Sequence, residues 1–170
     1  EVKGLQLADF ISMKCIDVQL PKTSKDGLFS RFSEVFSEVI PEVDKKQLET
    51  ALWERENIQN TEVGEGVALP HATLSGISRS YLGVFTTAEP VAYGGVSNVD
   101  IFFVMVSPPE ERQTHLLLLS KLAKMASSSE ILGRIREAQD AATIIEELQL
   151  FDVISEPVEV DSTTDSKTAE

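Results

Sequence analysis

Apolar positions define a first clear element between Leu28 and Val39, where Leu28, Phe29, Phe32, Val35, Phe36 and Val39 recur at helical spacing. Ser24 precedes the run as a cap and Pro41 stops it. Asp44 with Gln47 three residues later resembles a capping box, and Leu48, Ala51 and Leu52 carry a second apolar stripe toward a helix end near Arg55. From Asn57 to Ala72 the periodicity gives way to polar residues and glycines, which predicts a loop with a short strand inside it. Tyr81 to Thr87 is rich in aromatic and β-branched residues, and Val99 to Val106 is apolar apart from Asp100. Both read as strands, the second buried on both faces, with Gly94-Gly95 as a turn between them. Ser107, Pro108, Pro109 and Glu110 combine a cap, an early proline and an acid at capping-box spacing ahead of the apolar stretch Leu116 to Met125. His115 then falls early on that helix. Two shorter helices, near 129–138 and 140–150, carry Ile131, Leu132, Ile135, Ile144, Ile145 and Leu148 as packing residues.

Strands interspersed with helices predict an α/β fold, a mixed β-sheet flanked by helices in a single domain. The 170-residue length suits one core of ordinary size. That domain is expected over residues 1–154. Residues 155–170 lose nearly all apolar content and gain Asp, Glu, Ser and Thr, which predicts an acidic, disordered tail.

Charge narrows the choice of partners. A formal net charge of -13, with no compact Lys/Arg cluster, repels nucleic-acid backbones and anionic membrane surfaces. The single cysteine, Cys15, cannot form an internal disulfide, and the apolar runs are too short for a membrane helix, so a reducing, cytoplasmic setting is expected. The chain starts at Glu1 with no charged-then-apolar signal segment, which reads as a processed or shortened product.

The chemistry concentrates in Gly64-Glu65-Gly66-Val67-Ala68-Leu69-Pro70-His71. A histidine that carries a phosphoryl group must be neutral, reachable by a partner, and held in one tautomer through its other ring nitrogen. Pro70 restricts the approach to His71, while Gly64 and Gly66 permit turns that side chains forbid. Backbone N–H groups in such turns can hold phosphate oxygens, and the planar fork of Arg55 suits a phosphate dianion.

Arg55-Glu56, Thr61, Gly64, Gly66 and Val67-Ala68-Leu69-Pro70-His71 closely resemble the active-site signature of fructose/mannitol-class enzyme IIA domains of the bacterial sugar phosphotransferase system. The resemblance continues through the strand Val99 to Val106 and through Thr114-His115-Leu116, covering most of Leu5 to Leu150. It implies that His71 is phosphorylated by the small carrier HPr, itself charged from phosphoenolpyruvate by enzyme I. Arg55 and His115 would lie beside it, with Thr61, Gly64 and Gly66 as a phosphate-binding loop. No cofactor and no metal are required. Acceptors would be a IIB domain, as in sugar permeases, or regulated target proteins, as in the nitrogen-regulatory branch, which the chain resembles more. Gln59 and Glu62 stand where the family commonly has glycine, and Glu65 puts a carboxylate near the expected phosphate.

Two other readings compete. A metal-dependent enzyme would use His71 and His115 with Asp100 as third ligand, although the separation of these residues matches no standard ligand spacing. A sensing or interaction domain would keep the fold without phosphotransfer.

Overall fold

A computed structural model describes residues 4–155. The expected acidic tail, apart from Ser155, lies outside the described residues. The first described elements are a 3₁₀ turn (Leu7–Phe10) and an edge strand β1 (Ile11–Leu20), upstream of the first element read from sequence. Helices α1 (Lys25–Val39) and α2 (Lys45–Ile58) follow. The Ser24 hydroxyl accepts from the Gly27 N–H and the Asp44 carboxylate from the Gln47 N–H, as their spacing predicts. Helix α2 runs one turn past Arg55.

The expected loop is more structured than its composition suggests. It contains three short strands, β2 (Glu62–Gly64), β3 (Val67–Ala68) and β4 (His71–Thr73), so His71 begins a strand. Beyond it come β5 (Tyr81–Val91) and β6 (Val99–Ser107), then α3 (Arg112–Met125), α4 (Ser129–Glu137) and α5 (Ala141–Ile154). The six strands form one mixed sheet in the order β1-β5-β6-β3-β2, with β4 also pairing to β6. Strand β6 runs antiparallel to β5 and parallel to β3 and β4.

The apolar run in β6 reflects burial on both faces. Phe102, Val104 and Val106 join Phe29, Phe32, Phe36, Leu48 and Leu52 beneath α1 and α2. Ile101, Phe103 and Met105 face Leu118, Leu122, Ile131, Ile135, Ile144 and Leu148 beneath α3, α4 and α5. The protein is therefore a sheet flanked by helices on both sides, a single α/β domain. Trp53 stacks on Phe29 with ring centroids 4.3 Å apart, in keeping with a packing role.

Ser107 corrects one expectation. It closes β6 rather than capping α3, and a 3₁₀ turn (Pro109–Glu111) separates strand from helix. Its hydroxyl lies 2.7 Å from His115 Nδ1 and 2.8 Å from Ser80 Oγ, so its side chain serves these partners and not a helix end.

Candidate functional site

Three elements converge on His71. Strand β4 lies along the C-terminal end of β6, in the register His71 to Met105, and Met105 donates its N–H to the Pro70 carbonyl. Helix α3 leaves from the same end of β6 and carries His115 in its first turns. Helix α2 packs against β4 and delivers Arg55 from its last turn. These residues meet in a cleft of about 290 Å³ whose lining includes Glu54, Arg55, Ile58, His71 and His115. The imidazoles of His71 and His115 have centroids 5.3 Å apart.

The hydrogen bonds of His71 select one tautomer. Nδ1 lies 2.7 Å from the Leu69 carbonyl, which can only accept, so Nδ1 carries the proton. Nε2 accepts from Arg55 Nε–H at 3.1 Å and therefore presents a lone pair. Burial lowers the His71 pKa below its ordinary value; the Leu69 carbonyl works against this, and the Arg55 charge adds to it. The result is a neutral imidazole whose Nε2 keeps its lone pair.

Behind these contacts stands Glu56, a buried carboxylate in the last turn of α2. It accepts from the Thr61 N–H at 2.9 Å, from the Thr61 hydroxyl at 2.6 Å and from Lys25 at 3.0 Å. The Tyr93 hydroxyl also donates to it at 3.1 Å. Thr61 in turn accepts the Leu69 N–H on its carbonyl at 3.0 Å, and Leu69 is the residue that holds His71 Nδ1. Arg55 is braced by donating from Nη1 to the Gln59 carbonyl at 2.7 Å, two residues before Thr61. Both partners of His71 thus trace back to the segment that Glu56 fixes.

Not every expected site residue joins the cleft. Arg55, His71 and His115 come together. Thr61 is buried with its hydroxyl committed to Glu56 and Tyr93, so its side chain braces the loop instead of facing the cleft. Gly64 and Gly66 flank Glu65 in the turn between β2 and β3, where all three residues have positive φ. A Cβ on Gly66 would also run into Arg136 and Asp100. Glu65 is exposed and absent from the cleft lining; the carboxylate that does line it belongs to Glu54.

The departures from the family pattern have local explanations. Gln59 caps α2 in an extended conformation that any residue adopts, and Glu62 accepts from the N–H and hydroxyl of Ser97. Asp100 is paired with Arg136 at 2.9 Å and is not among the residues that line the cleft with His71 and His115, so the metal alternative lacks its third ligand there. Among the described residues no group of three His, Cys, Asp or Glu side chains could hold a metal ion, and no helix is long and apolar enough to cross a membrane.

The family model for the phosphoenolpyruvate-dependent sugar phosphotransferase system, EIIA 2, matches residues 9–150. The chain belongs to this EIIA 2 family. The EIIA 2 chain is 30% identical over 156 residues to the nitrogen regulatory protein of Klebsiella oxytoca, covering 90% of this chain and 92% of that one. Among solved structures, its fold is similar to the nitrogen regulatory protein IIA-Ntr from Neisseria meningitidis, with a TM-score of 0.78 and 24% identity over 84% of this chain and 98% of that chain. It is also similar to IIA mannitol in the complex with phosphorylated IIB mannitol from Escherichia coli, with a TM-score of 0.69 and 15% identity over 82% and 99% of the two chains. A phosphotransferase-system component in the general sense is therefore established by family, and the nitrogen regulatory proteins are among its relatives.

Glu56 and Ser107 touch the site in ways that residue patterns alone do not assign. Glu56 was within reach, since it follows Arg55 in the family signature. The local signal at Ser107 was that of a helix cap, because its contact with His115 is made only in the fold.

Proposed function

We propose that this EIIA 2 domain accepts a phosphoryl group on Nε2 of His71 from an HPr-like phosphocarrier, in the cytoplasm, and that its phosphorylation state controls regulated target proteins. The observation that carries the proposal is the pair of hydrogen bonds on His71: Nδ1–H to the Leu69 carbonyl, and the Nε2 lone pair facing Arg55. A new N–P bond forms at Nε2 while the donor's bond to phosphorus breaks, its electron pair returning to the donor group. The Nδ1 proton stays in place, so the acceptor ring becomes positive, and the Leu69 carbonyl 2.7 Å away stabilises that charge. Arg55, already at Nε2, is positioned to turn onto the phosphoryl oxygens in a loose transition state.

Support for the regulatory branch comes from the nitrogen regulatory relatives, which match nearly the whole chain. A second reading, a permease component that donates phosphate to a IIB domain, draws on the likeness to IIA mannitol in its complex with phosphorylated IIB mannitol. Incubation with enzyme I, an HPr-type carrier and phosphoenolpyruvate should add one acid-labile phosphate, lost in His71→Ala and retained in His115→Ala. Failure of every cognate carrier to label the wild-type protein would sink the proposal. Transfer of the label onward to a cognate IIB domain would favour the second reading.

A further inference from the structure

His115 meets His71 through one edge and a buried polar chain through the other. Its Nδ1 is 2.7 Å from Ser107 Oγ, which is 2.8 Å from Ser80 Oγ, which is 2.8 Å from Glu111 Oε1. Ser107 and Ser80 are wholly buried, and Glu111 sits at the surface end of the chain, just before α3. Satisfying two buried hydroxyls would not by itself require a carboxylate at the far end.

The direction of these bonds is set at Glu111. Oε1 accepts the Ser80 N–H at 2.9 Å as well as the Ser80 hydroxyl, and a carboxylate at neutral pH has only acceptors to offer. The single Ser80 hydroxyl proton therefore points to Glu111, and Ser80 Oγ is left to accept from Ser107. Ser107 has then spent its proton, so its oxygen accepts from His115 Nδ1–H. The remaining ring nitrogen, Nε2, carries the lone pair on a ring that lines the His71 cleft.

We propose that Glu111, acting through Ser80 and Ser107, is a positioning residue that holds His115 in the Nδ1–H tautomer and keeps Nε2 as a proton acceptor beside the transferred phosphoryl group. This rests on the phosphotransfer reading of His71. In the free protein, burial, the neighbouring His71 and Arg112 depress the His115 pKa to about 4, so the ring is neutral. The groups around it are His71 on β4, Arg55 and Glu54 on α2, and Arg112 on its own helix. When a phosphoryl dianion reaches His71, its oxygens favour a cation at His115. A solvent proton then binds Nε2, and the new charge is stabilised along the chain of hydroxyls to Glu111.

Nitrogen-detected NMR of the His115 ring in the unphosphorylated protein reads the tautomer directly. The wild type should show a protonated Nδ1 and a lone-pair Nε2. Ser107→Ala and Glu111→Ala should shift the ring toward Nε2–H, because the first removes the acceptor and the second frees the Ser80 proton to reverse the chain. Glu111→Gln should keep the wild-type tautomer, since the amide oxygen still accepts from Ser80. Labelling of His71 should slow about tenfold in Glu111→Ala, the loss of about one charge-assisted hydrogen bond, and less in Glu111→Gln. An Nε2–H tautomer in the wild type, an unchanged tautomer in both alanine variants, or normal labelling in a variant whose tautomer has switched would each overturn the proposal. The tautomer is measured without any phosphoryl donor, so a failure of phosphotransfer is told apart from a failure of the relay.

Discussion

Lys25 meets Glu56 at 3.0 Å and Lys121 meets Asp152 at 2.8 Å, each pair drawn largely out of water, yet the two pairs stand in very different company. Lys121 and Asp152 close on backbone alone: the lysine also donates to the Leu5 carbonyl, and the aspartate accepts from the Leu7 and Ala8 N–H groups. They latch the N-terminal turn to α3 and α5. Glu56 shares its oxygens with the N–H and hydroxyl of Thr61 and with Tyr93, and through Thr61 and Leu69 it reaches His71. A buried ion pair adds little net stability over an apolar packing, so its value depends on what its spare hydrogen bonds hold in place. In one pair that is the turn at Leu7–Phe10, in the other the ring of His71.

The two pairs should differ most visibly in stability. Asp152→Ala strands a buried ammonium and should cost about 3–5 kcal/mol in denaturant unfolding, while labelling of His71 in the remaining folded protein stays near wild type. A large loss of labelling rate in folded Asp152→Ala would erase the distinction between the two pairs.

Acid should expose the site end of the molecule next. The folded His115 pKa of about 4 lies below its ordinary 6.5, so the unfolded chain binds more protons between those values. The resulting stability is present in full above about pH 6.5 and is lost as pH falls through about 4. Over that window the contribution is about 3 kcal/mol, from the size of the shift. His71 is shifted in the same direction. His115→Asn should flatten this part of the stability-versus-pH curve, and an unchanged slope would show that other groups carry it.

The finest distinction comes from Glu56→Gln, which keeps the shape and an acceptor for Thr61 but removes the charge facing Lys25. Stability should fall by about 1–3 kcal/mol, within the cost of an imperfectly satisfied buried group. Labelling of His71 should slow about tenfold, because Thr61 uses both carboxylate oxygens and the amide leaves it only one. Equal labelling by Glu56→Gln and wild type would reduce this pair to the structural role of the other.

Legibility from sequence followed the range of the interactions. Helices α1, α2, α4 and α5 were readable because each has a repeating apolar face, and for the first two Ser24 and Asp44 accept the N–H bonds that their spacing suggests. Strand β6 was readable from its apolar run, since burial on two faces leaves few polar positions. Strand β1 was not, because it lies at the sheet edge with only Cys15 fully buried, so its pattern is weak. Strands β2, β3 and β4 hid within a glycine-containing segment because they exist only by pairing with each other and with β6. Ser107 looked like a cap for the same reason: local spacing cannot tell a cap from a strand end whose hydroxyl serves a histidine eight residues on.

The sequence by itself determined the fold class, the main helices and the central strand, and through family resemblance it brought His71, Arg55 and His115 forward as a set. Those depend on periodicity, capping and short motifs, which are written in neighbouring residues. Only the tertiary structure decided which nitrogen of His71 keeps its lone pair, that Thr61 braces the loop while Glu65 stays outside the cleft, and that Glu56 and the Ser80, Ser107 and Glu111 chain stand behind the two histidines. A tautomer is chosen by hydrogen-bond partners, and here those partners come from α2, β6 and loops far apart in sequence, brought within 3 Å of one another by the packing of the sheet.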